Sequence, residues 1–235
     1  GAVFEVTEAF PKGFHAFYVM KYEITEGLWV AFFNTLNSNQ KSERDITGNH
    51  AALAGKNGDT TVKRNTIAWT SGDATTSSEN RACSYLSYVD MAAFADWAAL
   101  RPMSELEYEK ACRGPLYPVS GEYAWGTTSI TACTTFSGSE NGTETDNTPN
   151  ANAVYNNQTF TNGDGSEGPV RSGLFATAST TTRAQTGGSY YGVMEMSGNL
   201  WEHVVTLGNA TGRGFAGTHG DGILTNIASY YGNAT

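Results

Sequence analysis

"GVMEMSGNLWEHV", residues 192–204, is the stretch on which the reading of this chain turns. Glu195 stands among Val193, Met194 and Met196; the turn-formers Ser197, Gly198 and Asn199 follow, and a second acid, Glu202, sits beside Trp201. Carboxylates in apolar company are costly unless something positive meets them. No Lys or Arg lies within the segment, so the positive partner has to come from elsewhere.

Working outward, the 14 Lys and Arg against 23 Asp and Glu leave a charge of −9. No basic face is available to neutralise phosphates, which excludes nucleic acid as a partner. No apolar run reaches the roughly 20 residues that span a bilayer, which excludes a transmembrane segment. Hydrophobic residues make up 39%, below the usual share, while Gly (27), Tyr (12) and Phe (11) are plentiful. That profile suits a loop-rich fold packed on aromatics rather than a helical bundle. Cys83, Cys112 and Cys133 show no CxxC spacing, which argues against a zinc ribbon. One disulfide plus a free thiol, or three buried thiols, both fit that count.

"AFYVMKYEIT", 16–25, alternates and is rich in β-branched and aromatic residues, predicting a strand. Thr25 then caps a helix over "EGLWVAFFNTLN", with Leu28, Phe32 and Leu36 on one face. Residues 38–80 are polar and turn-rich and read as a surface excursion, with a short strand over Val62 to Trp69. A helix is predicted over 89–100, and Ser104 with Glu107 forms a capping box for another that Gly114 and Pro115 end. Residues 127–189 are rich in Thr, Ser, Asn and Gly; scattered Tyr155, Phe160, Val170, Leu174 and Phe175 argue for packed loops, which need tethers such as bound cations. The five tryptophans lie in structured segments, and at least four are expected in the core.

Four segments in one order now point the same way. "YVMKYEITEGLWVAFFNTL" (18–36), "YVDMAAFADWAALRPMSELEYEKACRG" (88–114), "EYAWG" (122–126) and "YGVMEMSGNLWEHV" (191–204) resemble the formylglycine-generating-enzyme, or sulfatase-modifying-factor, family domain. The resemblance implies one α+β domain over 1–235, of C-type-lectin-like type and low in regular structure, truncated at its C-terminal end. It also implies calcium. In one site the ligands are the side chains of Glu195 and Glu202 and the carbonyls of Gly198 and Leu200, with Trp201 packed under the loop. In a second they are Asn152, the carbonyl of Ala153, Asp164 and the carbonyl of Ser166. Glu195 stands where the family more often carries an amide. The plain alternative to an ion is a tight turn with both acids in solvent.

The family's oxidases bind copper through two cysteines near the C-terminus, a few residues apart. None of this chain's cysteines lies beyond Cys133, so as given it is expected not to oxidise a peptidyl cysteine. The resulting expectation is a non-catalytic, calcium-stabilised extracellular or envelope domain used for binding a protein or glycan or for self-assembly. The alternatives are a copper oxidase whose cysteines lie beyond residue 235, and a calcium-dependent lectin presenting Trp or Tyr platforms. His203, His219 and Asp221 carry no metal-ligand pattern, and Glu105, Glu107 and Glu109 suit a helix N-terminus.

Overall fold

The computed structural model describes residues 5–48, 55–58, 62–139, 141–155 and 168–217. Its elements are α1 (Glu26–Thr35), α2 (Ser38–Glu43), a single 3-10 turn (Lys56–Gly58), α3 (Tyr88–Trp97), α4 (Glu105–Arg113), β1 (Phe136–Ser137), β2 (Thr145–Asp146), α5 (Arg183–Thr186) and α6 (Ala210–Arg213). The two strands pair antiparallel, Phe136 opposite Asp146. The fold is thus mixed and low in regular structure, as its loop-rich composition predicts.

Helix starts follow the sequence closely. The Thr25 hydroxyl accepts from Leu28 N–H at the head of α1. Ser104 and Glu107 close the expected capping box on α4, and Gly114 ends it at φ +64°, where a side chain would meet the Tyr190 ring. A second box, Ser87 with Asp90, starts α3 at Tyr88, just ahead of the predicted 89–100. Asp90 is therefore both a cap and, through a 3.0 Å contact with Arg44, half of a buried ion pair.

Among the described residues, three hydrophobic clusters make the core. Trp29, Phe32 and Phe33 of α1, with Leu36 just past its end, meet Ile46, Ile67 and Phe94 in the first. Cys133, Phe136, Val170, Leu174 and Phe175 form the second, and Ala111, Cys112, Ala124, Val193 and Met196 the third. Each holds one of the three cysteines, all buried and unpaired, so the disulfide alternative is excluded. The scattered apolar residues of 170–175 do pack, as the loop reading expected.

Several expectations are corrected. Residues 16–24 form no strand; the run bends at Lys21 and Tyr22, and the segment pairs by one isolated bridge, Thr25 with Ala82. Its alternation serves two clusters instead, with Phe17 and Val19 against the third and Met20 and Ile24 against the first. Leu28 is exposed, because the bulkier Trp29 and Phe33 take the inward face with Phe32. Residues 62–69 contribute only the Ala68–Thr75 bridge. The 38–80 excursion does not stay on the surface: Ile46, Arg64, Asn65 and Ile67 are buried. Of the tryptophans, Trp29 and Trp125 are buried, Trp69 is half-buried, Trp97 is 39% exposed and Trp201 is 93% exposed. Trp201 does not pack under its loop.

Candidate metal centre

The 195–202 loop is built against backbone preference. Glu195 (φ +58°) and Asn199 (φ +64°) both occupy the left-handed region, where an L side chain other than Asn costs about 1–2 kcal/mol. Gly198 lies at φ +111°, and a Cβ there would come within 2.6 Å of the Val154 carbonyl. No side chain fits without moving one loop off the other.

Asn199 ties the loop down. Its backbone N–H donates to Val154 O (2.7 Å), its Oδ1 accepts from Val170 N–H (2.9 Å), and its Nδ2 donates to Glu23. The Tyr108 hydroxyl donates to Met196 O, and Ser197 Oγ accepts from Ala124 N–H (3.1 Å). Since a trans peptide points its C=O opposite to its N–H, the bond from Asn199 to Val154 turns the Gly198 carbonyl away from Val154. Among the described residues no donor meets the carbonyls of Gly198 or Leu200.

The two acids are only partly satisfied. Glu195, 6% exposed, accepts through Oε1 from Gly173 N–H (2.7 Å), while its Oε2 is buried without a partner. Glu202 likewise buries an unpartnered Oε1. Burial is the main cause pushing Glu195 up to about 7, partly offset by the Gly173 bond and by the charge of Arg171. Burial also pushes Glu202 up to about 8, its own backbone N–H opposing and the nearby charge of Glu195 adding. Arg171 does not close the account: its guanidinium donates to the carbonyls of Glu144 and Ser172 and lies 3.6 Å from the Glu144 carboxylate.

Among the described residues, the unpartnered carboxylate oxygens of Glu195 and Glu202 and the donor-free carbonyls of Gly198 and Leu200 are oxygens of the kind hard cations take. Calcium requires six to eight oxygens, so second carboxylate oxygens or water would complete the shell. No three His, Cys, Asp or Glu side chains cluster among the described residues, so the set depends on main-chain oxygens. Glu195 and Gly198 also line a cavity of about 10 Å³, room for one water-sized sphere, shared with Asn152 and Ala153.

Those last two belong to the second predicted set. Asn152 Oδ1 accepts from Thr131 N–H (2.9 Å), its Nδ2 donates to Ala184 O (2.8 Å), and the Ala153 carbonyl accepts from Cys133 N–H (2.8 Å). Each oxygen keeps one lone pair. Asp164 and Ser166 lie outside the described residues, as do His219 and Asp221.

The family model of the sulfatase-modifying factor enzyme 1-like domain matches residues 8–229. The chain belongs to this FGE-sulfatase family. Comparison with curated proteins and with solved structures returned no match. In this FGE-sulfatase domain the thiols are held as thiols. Burial raises Cys112 to about 12, with Glu109 and Glu202 adding and Tyr108 opposing. It raises Cys133 to about 12, helped by Asp146, and pushes Cys83 well above the ordinary thiol value. No helix of the described residues is long and apolar enough to cross a membrane.

One residue of the site escaped the sequence reading. Glu23 accepts from Leu200 N–H (3.0 Å) and from Asn199 Nδ2. The signal was an acid inside the apolar alternation of "YVMKYEIT", the same anomaly that singled out Glu195.

Proposed function

We propose that this FGE-sulfatase domain is a non-catalytic, calcium-stabilised binding domain. The carrying observation is the pair of buried, unpartnered carboxylate oxygens on Glu195 and Glu202, in the loop whose Gly198 and Leu200 carbonyls receive no donor among the described residues. The side chains of Glu195 and Glu202 and the carbonyls of Gly198 and Leu200 hold the ion. It supplies the charge that two desolvated acids lack and fixes a loop strained at Glu195. Asn152, Ala153, Asp164 and Ser166 are the second, lesser set, since two of its oxygens already serve protein N–H groups. A C-type-lectin-like arrangement over one domain suits a fold this low in regular structure, whose loops need tethers.

The non-catalytic part rests on the thiols. The three sit in three separate hydrophobic clusters and are held protonated, whereas copper would need close thiolates. The binding part rests on Trp201, which the loop holds 93% exposed between two of the ion's ligands. A large aromatic on a rigid loop suits a protein or glycan partner. A secreted or envelope location, where calcium is abundant, accords with this reading.

The test is terbium luminescence sensitised by nearby tryptophan, titrated back with calcium. Saturable signal displaced by calcium, absent in Glu195→Gln/Glu202→Gln, is the expected result; no displaceable signal refutes the ion. Incubation with copper, oxygen and a Cys-x-Pro-x-Arg peptide, followed by mass spectrometry, should show no aldehyde product. Turnover would overturn the non-catalytic reading.

A further inference from the structure

The C-terminal end of α4, the turn that follows it and the 190–191 stretch meet at Gly114. The Tyr190 ring lies against that glycine, and Tyr190 N–H donates to the Cys112 carbonyl (2.8 Å). The turn folds back on the helix: Leu116 N–H donates to Arg113 O, and Glu122, 3.5 Å from Arg113, accepts from Val119 N–H (3.0 Å). Pro115 and Pro118 stiffen it. Leu116, Tyr117, Val119, Tyr190 and Tyr191 are all exposed on these two short segments. Apolar groups gathered in this way mark a surface that binds something.

Beside them stands a cation without a counter-ion. Arg183 stacks on the Tyr190 ring, its guanidinium carbon 5.5 Å from the centroid, and its Nη2 donates to Ala124 O (2.9 Å). Its Nε is buried without a partner, and its Nη1, also without one, is left open to solvent. Gly126 gives it room, since a Cβ there would stand 3.1 Å from Nη2 and 3.5 Å from Nη1. Neighbouring Arg113 is neutralised by Glu109 (2.8 Å) and Glu122, whereas no acid among the described residues meets Arg183. In a chain with 23 acids against 14 bases, that is a fork left for a carboxylate from outside.

We infer that this face docks a peptide segment of a partner protein, with one Asp or Glu side chain on Arg183 and aliphatic neighbours over the Tyr190–Tyr191 pair and the 115–119 turn. The charge of Arg183 selects the acid. Stacking and the Ala124 bond hold the guanidinium in place beforehand, so little ordering remains to be done on binding. Tyrosine and arginine side by side are the residues on which protein interfaces concentrate their affinity. The aliphatic Leu116 and Val119 favour a peptide over a glycan, whose hydroxyls would have to leave water to cover them. The inference is independent of the calcium reading, because no ligand of the ion takes part.

The experiment probes an array of capped peptides, each with one Asp or Glu between Leu, Val or Phe, beside their Asn and Gln counterparts and a glycan array. The strongest acid-bearing peptide and its amide twin are then titrated by fluorescence anisotropy against wild type, Arg183→Gln, Arg183→Lys and Tyr191→Ala. Replacing the acid by the amide should weaken binding to wild type about tenfold to a hundredfold, the range of a hydrogen bond to a charged group. The same replacement should change nothing in Arg183→Gln, the signature of a direct pair. Arg183→Lys keeps the charge but loses the fork and should show a reduced acid preference; it carries the test if the Gln variant does not fold. Tyr191→Ala should weaken both peptides alike. No acid-dependent binding on the array, an acid preference undiminished in Arg183→Gln or Arg183→Lys, or binding to glycans alone overturns the inference. Loss of the peptide in Trp201→Ala without loss in Arg183→Lys places the partner on the 195–202 loop and overturns it as well.

Discussion

Raising the pH of the ion-free protein from 5 to 8 should weaken the fold, and calcium should reverse the effect. Glu195 and Glu202 are held at about 7 and about 8 against an ordinary 4.5, so between these values the folded chain binds protons that the unfolded chain has released. Stability then falls with rising pH: it is fully present below 4.5 and lost as pH climbs through the folded values. A tenfold change in proton affinity is worth about 1.4 kcal/mol, so the two groups together weaken the fold by roughly 5 kcal/mol across this window. For a chain of this size that is roughly 10–20 °C in melting temperature. Glu107 shifts the other way, its carboxyl lowered by Arg101 and the Ser104 cap against the cost of burial. Its contribution is lost only as pH falls below the ordinary carboxylate value, outside the window. Calcium at a hundredfold excess over its dissociation constant adds about 2.7 kcal/mol. The gain should be larger at pH 8 than at pH 5, because the ion requires both carboxylates ionised. The assay is calorimetry at several pH values, in chelator and in calcium, with Glu202→Gln as a variant whose chelator profile should be flatter. A melting temperature in chelator that is flat or rises from pH 5 to 8, or a calcium gain equal at both ends, refutes the reasoning.

Three further outcomes are expected. Ser104→Ala should lower stability by about 1 kcal/mol in denaturant melts, since Glu107 N–H loses its acceptor at the start of α4. Gly198→Ala should weaken calcium binding, measured by calorimetric titration, and cost stability too, since its Cβ would strike the Val154 carbonyl and hold the loop off its seat. A thiol reagent at pH 8 should leave all three cysteines unlabelled until the chain is unfolded, because burial keeps Cys83, Cys112 and Cys133 protonated; labelling of the native protein at the rate of a free thiol would contradict this.

Local chemistry was the legible part of the sequence. Thr25, Ser104 and Gly114 act within a turn of themselves, through bonds to backbone three or four residues away, and all three stand where the sequence placed them. Segment 16–25 was misread because alternation reports two-sided burial, not pairing; its neighbours are side chains of two clusters, and only Thr25 has a bridge partner. The inward face of α1 went to Trp29 and Phe33 rather than Leu28 because the partners Ile46, Ile67 and Phe94 come from distant segments. The acids at Glu195 and Glu202 were conspicuous as charges in apolar company, while Glu23, which shares the anomaly, gained meaning only through Asn199 and Leu200. The outward placement of Trp201 has no local signal at all.

The bond between Asn199 and Glu23 joins residues 176 positions apart, and the Leu200 bond spans 177. Such a contact cannot guide early folding. Its loop-closure entropy has to be met by the clusters already formed, which places the 195–202 loop among the last parts to settle. On a ribosome adding 5–20 residues per second, the Glu23 carboxylate waits roughly 10–35 s for its partners to be made. Through that interval an acid bound for a desolvated position stays hydrated on a growing chain, and the 195–202 loop closes onto it only when both distant stretches have been synthesised and meet.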